Sequence, residues 1–362
     1  MSTRFYRNPI GRGFAGGLPC QTPGEGDQPF ASSPFAHPIP QSRRRASGDL
    51  FSGSLVQIKT ICRIEALKFT HEDQLEESEF CDRRIAGDGV DLHVVTAGIG
   101  PPVILLHGFP ENWRSWRRQI PELVSAGFSV WVPDLRGYNR SGIPTEQAAY
   151  RLDHLVADVA DLVAATGHPR AHIVGHDWGG IIAWSFAQRC PELVDKLAIL
   201  NAPHMKIYLQ KVKYPRQMLK SWYMLFFLLP RLPELALAAN NFRSIRRMFR
   251  LGPVNKKAFS NQDIEEYVQA LSQPGALTAA LNYYRANLTM ANVGRFSHPK
   301  PVNAETLVIW GERDPALGIE LLDGLHEIVP HVQIRRIPCS SHWVQNEAPQ
   351  EVNHALIGFL KG

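Results

Sequence analysis

The residues of this chain whose types and spacing best suit chemistry lie in the run Gly175-His176-Asp177-Trp178-Gly179-Gly180. The run has the Gly-x-nucleophile-x-Gly form of a nucleophile elbow, with Asp177 where Ser is usual. A carboxylate is ionised at neutral pH and can attack carbon without a base to deprotonate it. Attack on an alkyl carbon gives an ester that water can cleave, so the run favours an electrophile such as an epoxide or an alkyl halide. The alternative is a structural turn whose Asp caps the following helix.

Two later apolar runs each lead to a residue that can complete a catalytic triad. Thr306–Trp310 leads to Asp314, and Val332–Ile337 leads to His342. A His can act as the base that activates water, and a carboxylate can fix its tautomer. Nucleophile, acid and His follow in the chain order of α/β-hydrolases. Glu312 is the alternative acid, two residues closer to the strand.

The loop after the strand-like run Val103–Leu106 supplies candidates for an oxyanion hole. In an α/β-hydrolase this loop gives one backbone N–H and the residue after the nucleophile gives the other, which selects Phe109 and Trp178. Pro110 has no N–H and can fix the loop, through a cis bond if required. The side chains predicted to line or brace the substrate pocket are those of His107, Pro110, His176 and Trp343.

The elements that must position these residues follow from the hydrophobic pattern. Strand-like and helix-like segments alternate from about residue 78, the alternation stops over 203–300, which is helical in character, and it resumes at Thr306. This order predicts an α/β fold, the α/β-hydrolase fold, with a mostly parallel sheet flanked by helices and an inserted helical cap. The predicted domains are an extension over 1–75, the core in two parts over 76–202 and 301–362, and the cap over 203–300. The remaining predicted elements are strands at Val90–Thr96, Ser129–Pro133, Ala171–Val174 and Lys196–Leu200, and helices at Leu152–Thr166, Ile181–Ala187 and Glu351–Leu360.

Composition narrows the classes of function. The chain has 362 residues, of which 44% are apolar and 20% charged, as in soluble globular proteins. Its five Cys show no CxxC pair and no zinc spacing, which predicts no structural metal, no disulfide framework and a cytoplasmic location. Residues 1–60 hold seven Lys or Arg and three acids, so they supply +4 of the net charge of +5, and a nucleic-acid partner is not indicated.

Two segments bear on location. The first 50 residues are rich in Gly, Pro and Ser, which predicts disorder; they lack the apolar core of a signal peptide, although an Arg-rich transit sequence is an open alternative. The most apolar run, Trp222–Leu229, is far shorter than the roughly 20 residues of a membrane helix. It predicts a core or lid helix with at most a peripheral contact with a membrane.

Three motifs together resemble the α/β-hydrolase-fold epoxide hydrolases: His107–Trp116, Gly175–Gly180 and Asn201–His204. The resemblance runs from about residue 80 to the C-terminus. It implies two cap tyrosines that donate hydrogen bonds and then a proton to the epoxide oxygen. Ser221–Phe227 resembles the first tyrosine segment and selects Tyr223, whereas Leu281–Arg285 resembles the second and selects Tyr284. The competing tyrosines for the first position are Tyr208, Tyr214 and Tyr267.

The sequence therefore predicts a cofactor-independent epoxide hydrolase that forms an ester on Asp177 and cleaves it with water activated by His342. The expected partners are a lipophilic epoxide and water, with no cofactor, no nucleic acid and no transmembrane segment, in a monomer or homodimer. A haloalkane or haloacetate dehalogenase with the same triad is the nearest alternative, although many dehalogenases place Asn where this chain has Phe109. A catalytically silent scaffold is a further alternative.

Overall fold

A mostly parallel sheet of eight strands organises the part of the chain that the computed structural model describes, residues 80–289 and 300–362. The extension predicted over 1–75 lies outside the described residues. The order across the sheet is β1-β2-β4-β3-β5-β6-β7-β8. The strands are β1 Cys81–Gly87, β2 Val90–Ala97, β3 Pro102–Leu106, β4 Ser129–Pro133, β5 Ala171–His176, β6 Val194–Leu200, β7 Glu305–Gly311 and β8 Val332–Ile337.

Strand direction divides the sheet into two parts. β2 pairs antiparallel with both β1 and β4, and every pairing from β4 through β8 is parallel. The predicted fold class is confirmed. β1 was not predicted, because this edge strand carries exposed polar residues such as Arg83 and Arg84 rather than an apolar run.

Two apolar cores lie on the two faces of the sheet. Along β3, Ile104 and Leu106 join one core, and Val103 and Leu105 join the other, as expected when successive side chains of a strand point to opposite faces. All four side chains are fully buried. A parallel strand covered on both faces reads as a continuous apolar run, which is why the sequence revealed it.

Helices cover both faces of the sheet. In the described residues, six helices follow β6 and precede β7 along the chain. α1 (Ile120–Ser125) and α11 (Pro349–Lys361) pack on the face of Val103, while α2 (Leu152–Ala165) and α3 (Trp178–Arg189) pack on the face of Ile104. α7 (Leu232–Leu251) breaks at residues 239–242, where Asn240, Asn241 and Phe242 have positive φ. The helices are α1 Ile120–Ser125, α2 Leu152–Ala165, α3 Trp178–Arg189, α4 Met205–Lys211, α5 Pro215–Lys220, α6 Trp222–Phe227, α7 Leu232–Leu251, α8 Asn261–Leu271, α9 Ala276–Asn287, α10 Val344–Glu347 and α11 Pro349–Lys361.

The topology brings the loops that follow β3, β5, β7 and β8 to one edge of the sheet. These strands are parallel, so their carboxyl ends point the same way, and this edge is where open α/β sheets bind ligands. The α4–α9 insertion leaves the sheet at the same edge, after β6. Between residues 80 and 289 and between 300 and 362, no helix is both long and apolar enough to cross a bilayer.

Candidate active site

Asp177 occupies a strained turn between β5 and α3. Its backbone has φ 50° and ψ −120°, a region that non-glycine residues rarely adopt and that is typical of functional turns. A Cβ on Gly175 would lie 2.4 Å from the Gly179 carbonyl oxygen, and one on Gly179 would lie 2.2 Å from the Leu106 carbonyl oxygen. The Asp177 side chain makes no capping hydrogen bond to α3, so the alternative of a structural cap is wrong.

The loop after β3 approaches Asp177 closely because Gly108 has no side chain. A Cβ on Gly108 would lie 2.3 Å from the Cβ of Asp177. The approach lets the Phe109 N–H donate to Asp177 Oδ1 at 2.8 Å. Trp178 is the first residue of α3, where the backbone N–H has no partner within the helix. The peptide between Phe109 and Pro110 is cis.

His342 lies between two carboxylates. Its Nδ1 is 2.8 Å from Asp314 Oδ2, and its Nε2 is 3.6 Å from Asp177 Oδ2. Because a carboxylate oxygen is an acceptor, Nδ1 carries a proton and Nε2 faces Asp177. Glu312 does not share this contact: its Oε1 accepts a hydrogen bond from Arg336 at 2.7 Å on the surface.

Asp314 is held from three further directions. Its Oδ2 accepts from Asn201 Nδ2 at 2.8 Å, and its Oδ1 accepts from the backbone N–H groups of Ala316 and Leu317 at 2.7 and 2.9 Å. Burial by itself raises the pKa of Asp314, but His342 and the two N–H groups lower it below its ordinary value. Asp314 is therefore an ionised carboxylate with a fixed orientation.

The charges of Asp177 and His342 stabilise each other. Burial raises the pKa of Asp177, but His342, His176 and the Phe109 N–H bring it below its ordinary value. Burial lowers the pKa of His342, but Asp314 and Asp177 raise it well above its ordinary value. With neither ligand nor adduct bound, His342 is thus an imidazolium between two carboxylates.

Tyr284 and Tyr223 converge above Asp177 from α9 and α6. Their ring centroids are 6.4 Å apart, and the Tyr284 ring lies 5.0 Å from Trp178 and 5.8 Å from Phe109 in edge-on contacts. Burial and then the charge of Asp177 raise the pKa of both phenols well above the ordinary value. Both hydroxyls therefore keep their protons at neutral pH and can donate hydrogen bonds.

The other tyrosines near the site are engaged elsewhere. Tyr283 donates its hydroxyl proton to the Arg136 carbonyl oxygen at 2.8 Å, and Tyr208 bonds Ser221 Oγ at 2.8 Å. Tyr214 is exposed, and Tyr267 stacks on Phe249 with ring centroids 5.0 Å apart. Of the tyrosines weighed for the first position, Tyr223 alone shows a ring contact with Tyr284 in the described residues.

The residues predicted to line or brace the pocket lie beneath or beside the triad. His107 is fully buried, its Nε2 accepts from the Leu135 N–H at 3.0 Å, and burial lowers its pKa, so it braces the loop as a neutral ring. His176 Nε2 lies 2.9 Å from the His342 carbonyl oxygen. Trp343 is buried and packs against His342 at 5.3 Å.

Three residues that the sequence analysis did not assign also hold the site. The buried Glu111 carboxylate lies 3.1 Å from His176 Nδ1. Asn201 has positive φ and links Gly311 to Asp314 through its amide. Glu347 accepts from Ser341 N and from Val254 N, so it joins the His342 loop to the segment after α7. Glu111 and Asn201 lie in the first and third of the three motifs, whereas Glu347 had no sequence signal.

Over residues 80–289 and 300–362, no group of three or more His, Cys, Asp or Glu side chains is arranged to hold a metal ion.

Known proteins resemble this chain in both sequence and fold. A family model described as alpha/beta hydrolase fold matches residues 101–349. Epoxide hydrolase 4 of Mus musculus is 35% identical over 289 residues, covering 78% of this chain and 79% of the mouse protein. Epoxide hydrolase 3 of Xenopus tropicalis is 38% identical over 291 residues, 77% of each chain. The crystal structure of a Bacillus megaterium epoxide hydrolase in complex with an inhibitor has a TM-score of 0.72 and 33% identity, and covers 77% of this chain and 100% of that one.

The match to the family model covers Asp177 in the elbow and the last strands, which lead to Asp314 and His342. The coverage and identity of the matches are high enough to establish family membership, and they confirm the resemblance first drawn from the three motifs. The chain therefore belongs to the α/β-hydrolase fold family, among the members that include the epoxide hydrolases.

Proposed function

We propose that this protein hydrolyses epoxides to vicinal diols through a covalent ester on Asp177. The observation that carries the proposal is an ionised carboxylate in the elbow, in contact with His342 and facing two protonated phenols. An epoxide needs both groups, a nucleophile for carbon and an acid for the oxygen that leaves. The relatives named epoxide hydrolases support the same reaction.

In the first step the carboxylate opens the ring. Phe109 N–H holds Asp177 Oδ1, which leaves Oδ2 as the nucleophile. Oδ2 forms a bond to a ring carbon, the carbon–oxygen bond breaks, and its electron pair goes to the epoxide oxygen. That oxygen takes a proton from Tyr284 or Tyr223, since an alkoxide is far more basic than a phenolate.

In the second step water cleaves the ester. Esterification removes the negative charge of Asp177, one of the two charges that raise the pKa of His342. The pKa of His342 then falls, so the ring can release its proton and become the base. The released proton restores, through solvent, the phenol that was deprotonated in the first step. Water attacks the Asp177 carbonyl carbon, and its proton passes to His342. Oδ1 becomes the oxyanion, held by the N–H of Phe109 and that of Trp178. The oxyanion then collapses to a carbonyl, and the bond between the Asp177 carboxyl carbon and Oδ2 breaks. Oδ2 takes the proton from His342 and leaves as one hydroxyl of the diol, and Asp177 keeps one oxygen of the water.

The substrate class follows from the lining of the site. Phe109, Trp178 and Phe227 all contact the Tyr284 ring, so the groups around the proposed acid are aromatic and apolar. We propose a lipophilic epoxide. A halide would need N–H donors and no acid, whereas the Trp178 side chain interacts with the Tyr284 hydroxyl, which argues against a dehalogenase.

The test is diol formation from an aryl, an alkyl and a fatty-acid epoxide by the wild type and by Asp177→Ala. We expect diol from the wild type and none from the variant. If the wild type makes no diol, halide release from haloalkanes and haloacetate is measured next. Failure of both reactions would favour a binding scaffold.

Isotope labelling tests the ester directly. In a single turnover in H₂¹⁸O, the heavy oxygen should enter the Asp177 carboxyl group, and the diol should carry unlabelled oxygen from Oδ2. Heavy oxygen in the first diol would instead mean that water attacks the epoxide itself, and the covalent route would be wrong.

A further inference from the structure

Exposed apolar side chains are concentrated on one stretch of the helical insertion. Among the described residues, eleven large apolar side chains are exposed, and nine of them lie between residues 214 and 251. Leu219 is 72% exposed and Trp222 is 64% exposed. Exposed apolar clusters of this kind mark contact sites. We call these nine side chains the α5–α7 surface: Tyr214, Met218, Leu219, Trp222, Leu225, Leu229, Leu232, Leu235 and Leu251.

The same stretch has a strong excess of positive charge. Residues 205–251 hold ten Lys or Arg and one acid, Glu234, a net charge of +9, whereas the whole chain has +5. The chain after residue 60 is therefore near neutral only because the positive charge of this stretch is balanced by an excess of acidic residues elsewhere. Glu234 itself is paired with Arg285. The exposed cations of the stretch are Lys213, Arg216, Arg231, Arg243, Arg247 and Arg250.

Helix α6 connects this surface to the candidate active site. Its inner side chains are Tyr223 and Phe227, which contact Tyr284 at 6.4 and 5.1 Å between ring centroids. Its outer side chains, Trp222 and Leu225, are exposed. One six-residue helix therefore carries the proposed acid on its inner side and exposed apolar residues on its outer side.

The charge decides between the occupants of such a surface. In a two-fold dimer the surface would face the same surface of a second copy, so two stretches that each carry a net charge of +9 would repel each other. The N-terminal extension is also basic, with +4 over residues 1–60. Nucleic acid would match the charge but leave the leucines in water. A bilayer with anionic head groups satisfies both, because cations bind its surface and Trp and Leu enter the boundary beneath.

We propose that the α5–α7 surface docks this protein on anionic lipid membranes. Docking is peripheral: Leu219, Trp222 and Leu225 enter the interface, and the surrounding Lys and Arg contact lipid phosphates. Docking places α6 between the bilayer and the active site. If the protein has the proposed function, on which this consequence rests, an epoxide dissolved in the lipid reaches Tyr223 from the membrane side.

The test is co-sedimentation of the full-length protein with vesicles of phosphatidylcholine, with and without phosphatidylglycerol. We expect binding only to the anionic vesicles, weaker at high salt. Leu219→Asn and Leu225→Asn should each weaken binding about tenfold, the loss expected for one buried leucine. Lys213→Glu with Arg216→Glu should weaken it by more, since each cation contributes about fivefold. Ile99→Asn, at an exposed apolar side chain outside the surface, is the matched control and should bind as the wild type does.

Three results would overturn the proposal. The first is no binding to anionic vesicles at low salt. The second is binding that survives the α5–α7 changes but is lost on reversing Arg43, Arg44 and Arg45, which would assign it to the extension. The third is a dimer that the leucine changes split into monomers, measured by light scattering. Diol formation from a water-soluble epoxide should be the same in all these variants, so failure of docking is distinguishable from failure of the proposed reaction.

Discussion

Replacing His342 by Gln should stop the proposed reaction after its first half. The nucleophile keeps its hydrogen bond from the Phe109 N–H at 2.8 Å, and the two phenols above it are untouched. Attack on the epoxide does not use a base. Hydrolysis of the ester does, because His342 is the base that contacts both Asp314 and Asp177. The ester should therefore accumulate.

The expected lifetime of the ester follows from the size of general-base catalysis. A positioned base contributes roughly 10²–10⁴ in rate. For a typical turnover of about 10 per second, a loss of about 10³ leaves hydrolysis at about 0.01 per second. The ester would then last about 100 seconds, long enough for capture by a hand-mixed acid quench.

The assay is intact-protein mass spectrometry of the quenched variant. One adduct per chain should appear, heavier by the full mass of the epoxide, since ring opening loses no atoms. Peptide mapping should locate it on Asp177. His326→Gln changes an exposed His elsewhere and should show diol release without adduct. An unmodified His342→Gln variant that still makes diol, or an adduct on another residue, would refute the two-step reasoning.

Three other changes follow from the same geometry. Asp314→Asn should lower kcat by about 10²–10⁴, because an amide cannot stabilise the His342 cation, whereas Glu312→Gln should leave kcat within about twofold in the same diol assay. Tyr284→Phe should slow the formation of the adduct in a single turnover more than it slows the breakdown of the adduct. Tyr214→Phe, at an exposed tyrosine, is the control. If Tyr284→Phe forms the adduct at the wild-type rate, Tyr284 is not the acid. The pKa of folded His342 lies above its unfolded value, so its contribution to stability is complete below about pH 6.5 and is lost as pH rises through the folded pKa. As pH rises, the Tm of the wild type should therefore fall more than the Tm of His342→Gln. Parallel profiles of Tm against pH would contradict the raised pKa of His342.

The sequence predicted most of the fold because its signals are local. The strands β3, β5 and β7 are covered on both faces and are rich in apolar residues. With β2, β4, β6 and β8, seven of the eight strands in the described residues were identified. β1 was missed, since an edge strand can be polar throughout. The elbow was identifiable for the same reason as the strands: its two glycines and its Asp are neighbours in the chain, and the steric conflicts that require glycine there lie within a few residues or at the adjacent strand.

Only the tertiary structure determined which of the candidate side chains contact one another. Asp314 and Glu312 are two residues apart and chemically alike, and only the path of the loop after β7 turns the first toward His342 and the second toward Arg336. Tyr283 and Tyr284 are adjacent on α9, yet one bonds the Arg136 carbonyl oxygen and the other faces Trp178. Glu111 lies in the first motif, but that motif could not predict its contact with His176, which spans 65 residues of chain. A sequence determines which segments form strands and helices through local sterics and periodicity, but distances between remote side chains exist only after the sheet has brought the ends of its strands together.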